Sequence, residues 1–157
     1  MEDNNAKKKL KLKVSAIKEG TVIDHIPAKN LFKVINILGL DKIQNQITFG
    51  TNLDSGKLGA KAIVKVSDVF FEDREINKIA LIAPHAKLNI IRDYEVVEKK
   101  IVETPDRITG IAKCVNPKCI TNHEKITTCF KVISKGPIKL KCKYCEKITN
   151  EEQIRMV

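Results

Sequence analysis

The chain's 157 residues give room for one ordinary domain or two small ones, and small ones bury so little apolar surface that one needs a staple such as a metal. An apolar content of 43% excludes a disordered chain, and aromatics at 4% without Trp leave a core of Ile, Val and Leu. The net charge of +10 favours an anionic partner or a Lys-rich solvated surface, and no apolar run approaches the roughly 20 residues of a bilayer span.

Residues 1–9 are polar and are expected to be a flexible N-terminus. They lack the apolar stretch of a secretory leader, so a cytoplasmic protein is expected, with no membrane association. Leu10, Leu12, Val14 and Ala16 alternate with polar residues and predict a half-buried strand. In TVIDHIPAKNLFKVINILGL, Pro27 suits the first turn of a helix. Leu31, Val34, Ile35 and Leu38 follow at helical spacing, and Gly39 suits the position past its end. A strand is predicted at Gln46–Leu53 and another from Ala60 to Val66, joined by a loop longer than two residues. A second helix is predicted over 72–82, opening on acids, and two short strands over about 87–91 and 94–98.

This order predicts an α+β fold, a ferredoxin-like antiparallel sheet with both helices on one face and one further strand. The charged, Pro-containing stretch at 99–106 marks a boundary. Residues 10–100 are expected to form one domain and 101–157 a small all-β domain.

All five cysteines fall in the second domain. Cys114-x4-Cys119 and Cys142-x2-Cys145 are two lobes of a tetrahedral metal site, separated by a span long enough for a hairpin to join them. Four thiolates close the coordination sphere, so one structural zinc per chain is expected. Lys113, Lys118, Lys141 and Lys143 flank the ligands and offset their charge. Iron–sulfur binding and four buried free thiols are the alternatives. Cys129 lies on an alternating strand and reads as a core residue, and His123 is the one substitute ligand.

Catalysis has little support. His25, His85 and His123 have no paired nucleophile. SGKLGAK at 55–61 lacks phosphate-loop spacing and reads as a hairpin turn. Asp24-His25 is the more suggestive pair, an acid for ribose hydroxyls beside an imidazole for phosphate, though alone such a pair is more often a helix cap and a surface histidine. A basic zinc-ribbon protein that binds RNA is the alternative reading of the whole chain.

GTVIDHIPA at 20–28, NLDSGKLGAK at 52–61, LIAPHAKLNIIRDYEVVEK at 81–99 and LKCKYCEK around the second lobe closely resemble the regulatory chains of aspartate carbamoyltransferase. The resemblance covers about residues 10–150. It implies a non-catalytic chain of pyrimidine biosynthesis whose N-terminal domain binds nucleoside triphosphates, with CTP inhibiting and ATP activating. It implies a zinc domain that docks on a separate catalytic chain, pairing of two regulatory chains, and a holoenzyme of six chains of each kind. No nucleic-acid partner is expected. By position, the resemblance assigns the nucleotide to Ala16, Ile17, Val22, Asp24, His25, Lys61, Lys65, Asn89, Ile91, Tyr94, Val96 and Lys99. It assigns contact with the catalytic chain to Asn116 and Glu146.

Overall fold

The computed structural model describes residues 16–56 and 59–157. Strands β1 (Gly20–Pro27), β2 (Ile47–Ser55), β3 (Gly59–Ser67), β4 (Lys87–Arg92) and β5 (Glu95–Ile101) form one antiparallel sheet in the order β2-β3-β1-β4-β5. Helices α1 (Leu31–Ile37) and α2 (Asp73–Ile79) cover one face of it. This is the expected ferredoxin-like topology with β5 added at the edge.

The first strand among the described residues is β1. The predicted strand at 10–16 lies, apart from Ala16, outside the described residues, as do the expected flexible residues 1–9, and Ala16 belongs to no strand. The central strand is GTVIDHIP instead, which the sequence reading takes as a lead into the helix. Being central, it is flanked by β3 and β4, and Val22 and Ile23, neighbours on opposite faces, are both buried, which hides the period of two. His25 then takes a left-handed φ of 61°, and the register with β3 slips between Ile23 and Ile26. Pro27 ends the strand, a short 3-10 turn follows at Ala28–Asn30, and α1 begins only at Leu31. Gly39, at φ 65°, turns the chain after α1 as expected.

The remaining elements follow their sequence signals. Glu72 precedes α2, with Asp73 and Glu75 in its first turn. Ser55 pairs with Gly59, so the β2–β3 loop is longer than two residues. Arg92 pairs with Glu95 across a two-residue turn in which Asp93 and Tyr94 both have positive φ, 49° and 66°, the geometry that matches strand twist in tight hairpins. Gly20 admits no side chain: a Cβ there would stand 2.0 Å from the carbonyl oxygen of Val66.

Ile23, Ala62, Val64, Val66 and Leu88 meet Leu31, Val34, Ile76 and Ile79 between sheet and helices. At roughly 1.5–3 kcal/mol per fully buried large aliphatic side chain, this layer is the main stabilising term of the N-terminal unit.

The C-terminal unit is a second antiparallel sheet, β6 (Arg107–Thr109), β7 (Cys129–Lys135), β8 (Ile138–Cys142) and β9 (Ile148–Asn150), in chain order. Ile108, Phe130, Val132, Ile138 and Leu140 form its apolar side. On the solvent side Arg107 stands directly opposite Lys131, and Lys131 opposite Lys141. The two cores are continuous. Lys33, Asn36 and Ile82 share a groove with Ile154, Arg155 and Met156. Arg74, Asn77 and Lys78 share another with Arg107, Ile108 and Ile111. No helix among the described residues is long and apolar enough to cross a membrane.

Candidate functional site

Cys142 ends β8 and Cys145 lies in the turn to β9, while Cys114 and Cys119 sit on the long connection between β6 and β7. The four Sγ atoms all lie within 4.8 Å of one another. Cys114 and Cys145 are 3.5 Å apart, and Cys119 and Cys142 3.8 Å. Bonds of about 2.3 Å from a tetrahedral metal to thiolates separate the sulfurs by about 3.8 Å. The cage therefore has the size the donor set requires, and it closes on all four sides.

Backbone N–H groups point at these sulfurs: Asn116 at Cys114, Tyr144 and Cys145 at Cys142, and Lys147 at Cys145. Burial pushes the Cys114 thiol up to about 12, and the adjoining thiols add to it. Burial raises Cys142 as well. At Cys145 the effect of burial is outweighed by the Lys147 N–H, the Asn116 side chain and the neighbouring thiols, which bring it down to about 7. Full ionisation of such a cluster needs a bound cation.

Cys129 lies outside the cage. It is half-buried on β7, where the Thr109 hydroxyl donates to its sulfur at 3.9 Å. His123 is not among the clustered ligands either. Asn116 and Glu146 sit one on each lobe. The Asn116 Oδ1 accepts the Lys118 N–H at 3.0 Å. Glu146, exposed and with φ 63°, follows Cys145, and its N–H donates to the Cys142 carbonyl at 3.0 Å.

The second set of candidates gathers on the face of the large sheet that carries no helix. Val22 on β1 pairs with Lys65 on β3 and with Asn89 on β4, and Asn89 pairs with Lys99 on β5. Directly paired residues share a face, and positions two apart along a strand do too. Asp24, Lys65, Asn89, Ile91, Val96 and Lys99 therefore surround Val22. Lys65 is only 8% exposed, unusual for a lysine.

His25 and Lys61 lie at one end of this face. The Lys61 ammonium donates to Asp24 Oδ1 at 3.0 Å, and the His25 backbone N–H donates to the same oxygen at 2.7 Å. Burial alone would raise the Asp24 carboxyl; the Lys61 hydrogen bond, the His25 N–H and the positive charges outweigh it, so its pKa falls below the usual value. At Lys65 burial dominates and lowers the ammonium pKa, with Asp24 opposing. The His25 Nδ1 is buried, 3.5 Å from Asp24 Oδ2, and makes no hydrogen bond among the described residues.

At the other end the Tyr94 N–H donates to the Lys18 carbonyl at 3.0 Å. This brings the segment holding Ala16 and Ile17 to the β4–β5 turn, where the Tyr94 side chain is exposed. Register thus puts Val22, Asp24, Lys65, Asn89, Ile91, Val96 and Lys99 on one face, with His25 and Lys61 at one end and the Tyr94 turn at the other, and Asn116 and Glu146 lie apart from them on the small unit. Sequence reasoning misses Lys87, which pairs directly with Asp24. Its parity with Asn89 and Ile91 is the signal that finds it.

Comparison with known proteins follows the same division. Residues 12–103 match the family described as aspartate carbamoyltransferase regulatory chain, allosteric domain, and residues 106–155 match its metal binding domain. A protein of Pyrococcus horikoshii is 59% identical over 145 residues, 91% of this chain and 95% of its own length. One from Bacteroides fragilis is 57% identical over 146 residues, 93% of this chain and 95% of its own. One from Phocaeicola vulgatus is 54% identical over 157 residues, 100% of this chain and 99% of its own. Each of the three bears the name aspartate carbamoyltransferase regulatory chain.

Proposed function

The chain belongs to the aspartate carbamoyltransferase regulatory chain family, and from that premise we propose that it is a zinc-stabilised subunit through which nucleoside triphosphates tune pyrimidine biosynthesis in the cytoplasm. CTP inhibits and ATP activates. The zinc unit, residues 101–157, docks on the separate catalytic chain through Asn116 and Glu146. Residues 10–100 bind the nucleotide and pair with a second regulatory chain, within a holoenzyme of six chains of each kind.

The observation that carries the nucleotide reading is the open sheet face. It offers one carboxylate, Asp24, among Lys61, Lys65 and Lys99, with a buried imidazole nitrogen that makes no hydrogen bond among the described residues. A triphosphate needs several cations and donors together, and His25, Lys61 and Lys99 supply them. Asp24 and Lys65 take the ribose. Ala16, Ile17, Val22, Asn89, Ile91, Tyr94 and Val96 surround the base, with backbone groups near Ile17 and Tyr94 reading its edge.

Cys114, Cys119, Cys142 and Cys145 hold the zinc. When bound, it supplies the cation that the buried thiols need and cross-links the two lobes of a sheet too small to hold them otherwise. Control requires each effector to bind two states of the holoenzyme unequally, with a coupling of about 1–3 kcal/mol. The grooves shared by α1, α2 and the C-terminal unit are the physical link between nucleotide and docking surface.

The test mixes the zinc-loaded chain with the catalytic trimer from the same source and measures mass and aspartate saturation without nucleotide, with CTP and with ATP. A large complex whose curve moves in opposite directions is expected. A complex without any shift would remove the allosteric claim. Failure to form a complex would remove the docking claim, and salt-steep RNA binding would then favour the RNA reading.

A further inference from the structure

The two metal lobes are held in different ways. The second lobe holds itself: within Cys142-Lys143-Tyr144-Cys145, the N–H groups of Tyr144 and Cys145 turn onto the Cys142 sulfur. The first lobe spans four intervening residues. The Asn116 N–H meets the Cys114 sulfur, and the Cys119 N–H closes on the Asn116 carbonyl at 3.0 Å.

A short 3-10 turn at Ile120–Asn122 follows immediately, and two of its side chains reach back into the lobe. The Asn122 amide donates one N–H to the Cys114 carbonyl at 3.0 Å and the other to the Asn116 carbonyl at 2.8 Å. The Thr121 hydroxyl lies 3.2 Å from the Cys119 sulfur. A metal-bound thiolate carries no proton, so in that contact the hydroxyl is the donor. One amide thus ties the entry and the middle of the loop to its exit, and one hydroxyl supports the ligand at the exit itself.

Resting on the reading of the four thiols as a zinc site, we propose that Thr121 and Asn122 are positioning residues for the metal. Asn122 fixes the span of the wide first lobe, and Thr121 donates to the Cys119 thiolate. Neither touches the metal. They act by holding Cys114 and Cys119 within the cage that Cys142 and Cys145 complete, and by spreading the negative charge on Cys119. Partners of this kind are commonly worth 10–100-fold in metal affinity.

The test uses the full chain loaded with zinc and follows metal release to an excess of a coloured chelator in native buffer. Asn122→Ala and Asn122→Asp, which both remove the two donors, are expected to release zinc about tenfold faster than the wild type. Thr121→Val is expected to accelerate release by a smaller factor, and Thr121→Ser, which keeps the hydroxyl, to restore the wild-type rate. With cadmium-113 in place of zinc, Thr121→Val is expected to shift the metal resonance while Thr121→Ser leaves it in place, a readout that a loss of packing alone would not give. Wild-type release rates in Asn122→Ala and Asn122→Asp overturn the proposal. Should the Asn122 variants not fold with zinc, an unchanged release rate and cadmium resonance in Thr121→Val overturn it instead. A wild-type chain that takes up neither metal overturns the zinc reading and this proposal with it. A loaded wild type beside unaltered variants overturns the proposal alone.

Discussion

The five-stranded and four-stranded sheets bury their apolar residues by different means. The first has two helices to cover it, and Leu31, Val34, Ile76 and Ile79 close its core against Val64 and Leu88. The second has no α-helix. Its β6 and β9 are three residues long, and three of its buried side chains are the cysteines Cys114, Cys119 and Cys142. Where one unit has enough apolar surface, the other gathers four thiols where a metal would cross-link it. The functional groups follow suit. The large unit can leave a whole sheet face free for charge, whereas the small one turns its chemistry inward.

The strongest way to break this comparison is to remove the cross-link. Cys142→Ser is expected to abolish metal uptake and unfold residues 106–155, since a structural zinc contributes about 10–16 kcal/mol of folding free energy in small domains. Amide exchange resolved along the chain would show it, with protection retained in β1, β3 and β4. Survival of the C-terminal protection without metal would mean that the small core suffices by itself.

A smaller effect is expected at the charged end of the open face. Lys61→Gln removes the ammonium 3.0 Å from Asp24. Nucleotide affinity measured by calorimetry is expected to fall by about 1.5–3 kcal/mol, the ordinary worth of a hydrogen bond to a charged group, while zinc content stays unchanged. A parallel loss of zinc would show that the two units are not separable.

Smaller again is the β4–β5 turn. Tyr94, bulky at φ 66°, sits where glycine is at ease. Tyr94→Gly is expected to stabilise the N-terminal unit by roughly 1 kcal/mol, read as a higher unfolding midpoint. With Tyr94 in the proposed nucleotide site the same change is expected to weaken nucleotide binding, so stability and affinity would move in opposite directions. If both fell, the Tyr94 side chain would be holding the turn.

The weakest effect is acid dependence. Asp24 has a folded pKa below its ordinary 3.8. Its stabilising contribution is therefore fully present above pH 3.8 and is lost as pH falls through the folded value. Asp24→Asn is expected to remove that part of the acid limb in pH-dependent unfolding of the N-terminal unit. An unchanged limb would mean that the Lys61 contact gives no net stability.

The metal cage was the easier site to read, because two short spacings state it. The element order was also legible, except at β1. There, burial on both faces and the left-handed His25 erased the alternation that marks Ala60 to Val66 so clearly. Local sequence cannot state which strands pair. Val22, Lys65, Asn89 and Lys99 become one surface only through register, so the sequence groups them only by resemblance, and Lys87 carries no local signal of its own. Asn122 gave no signal, being one polar residue in a polar run.

The row of Arg107, Lys131 and Lys141 has a consequence for behaviour in solution. Like charges placed directly opposite one another across strands repel, so the small sheet folds against a repulsion that its own side chains maintain. Dissolved salt screens it over a Debye length of about 10 Å at 0.1 M. Rising ionic strength therefore steadies this sheet while weakening the hold of any anionic surface laid across the row. The concentration of an inert electrolyte acts on both, with opposite sign, without a single residue being changed.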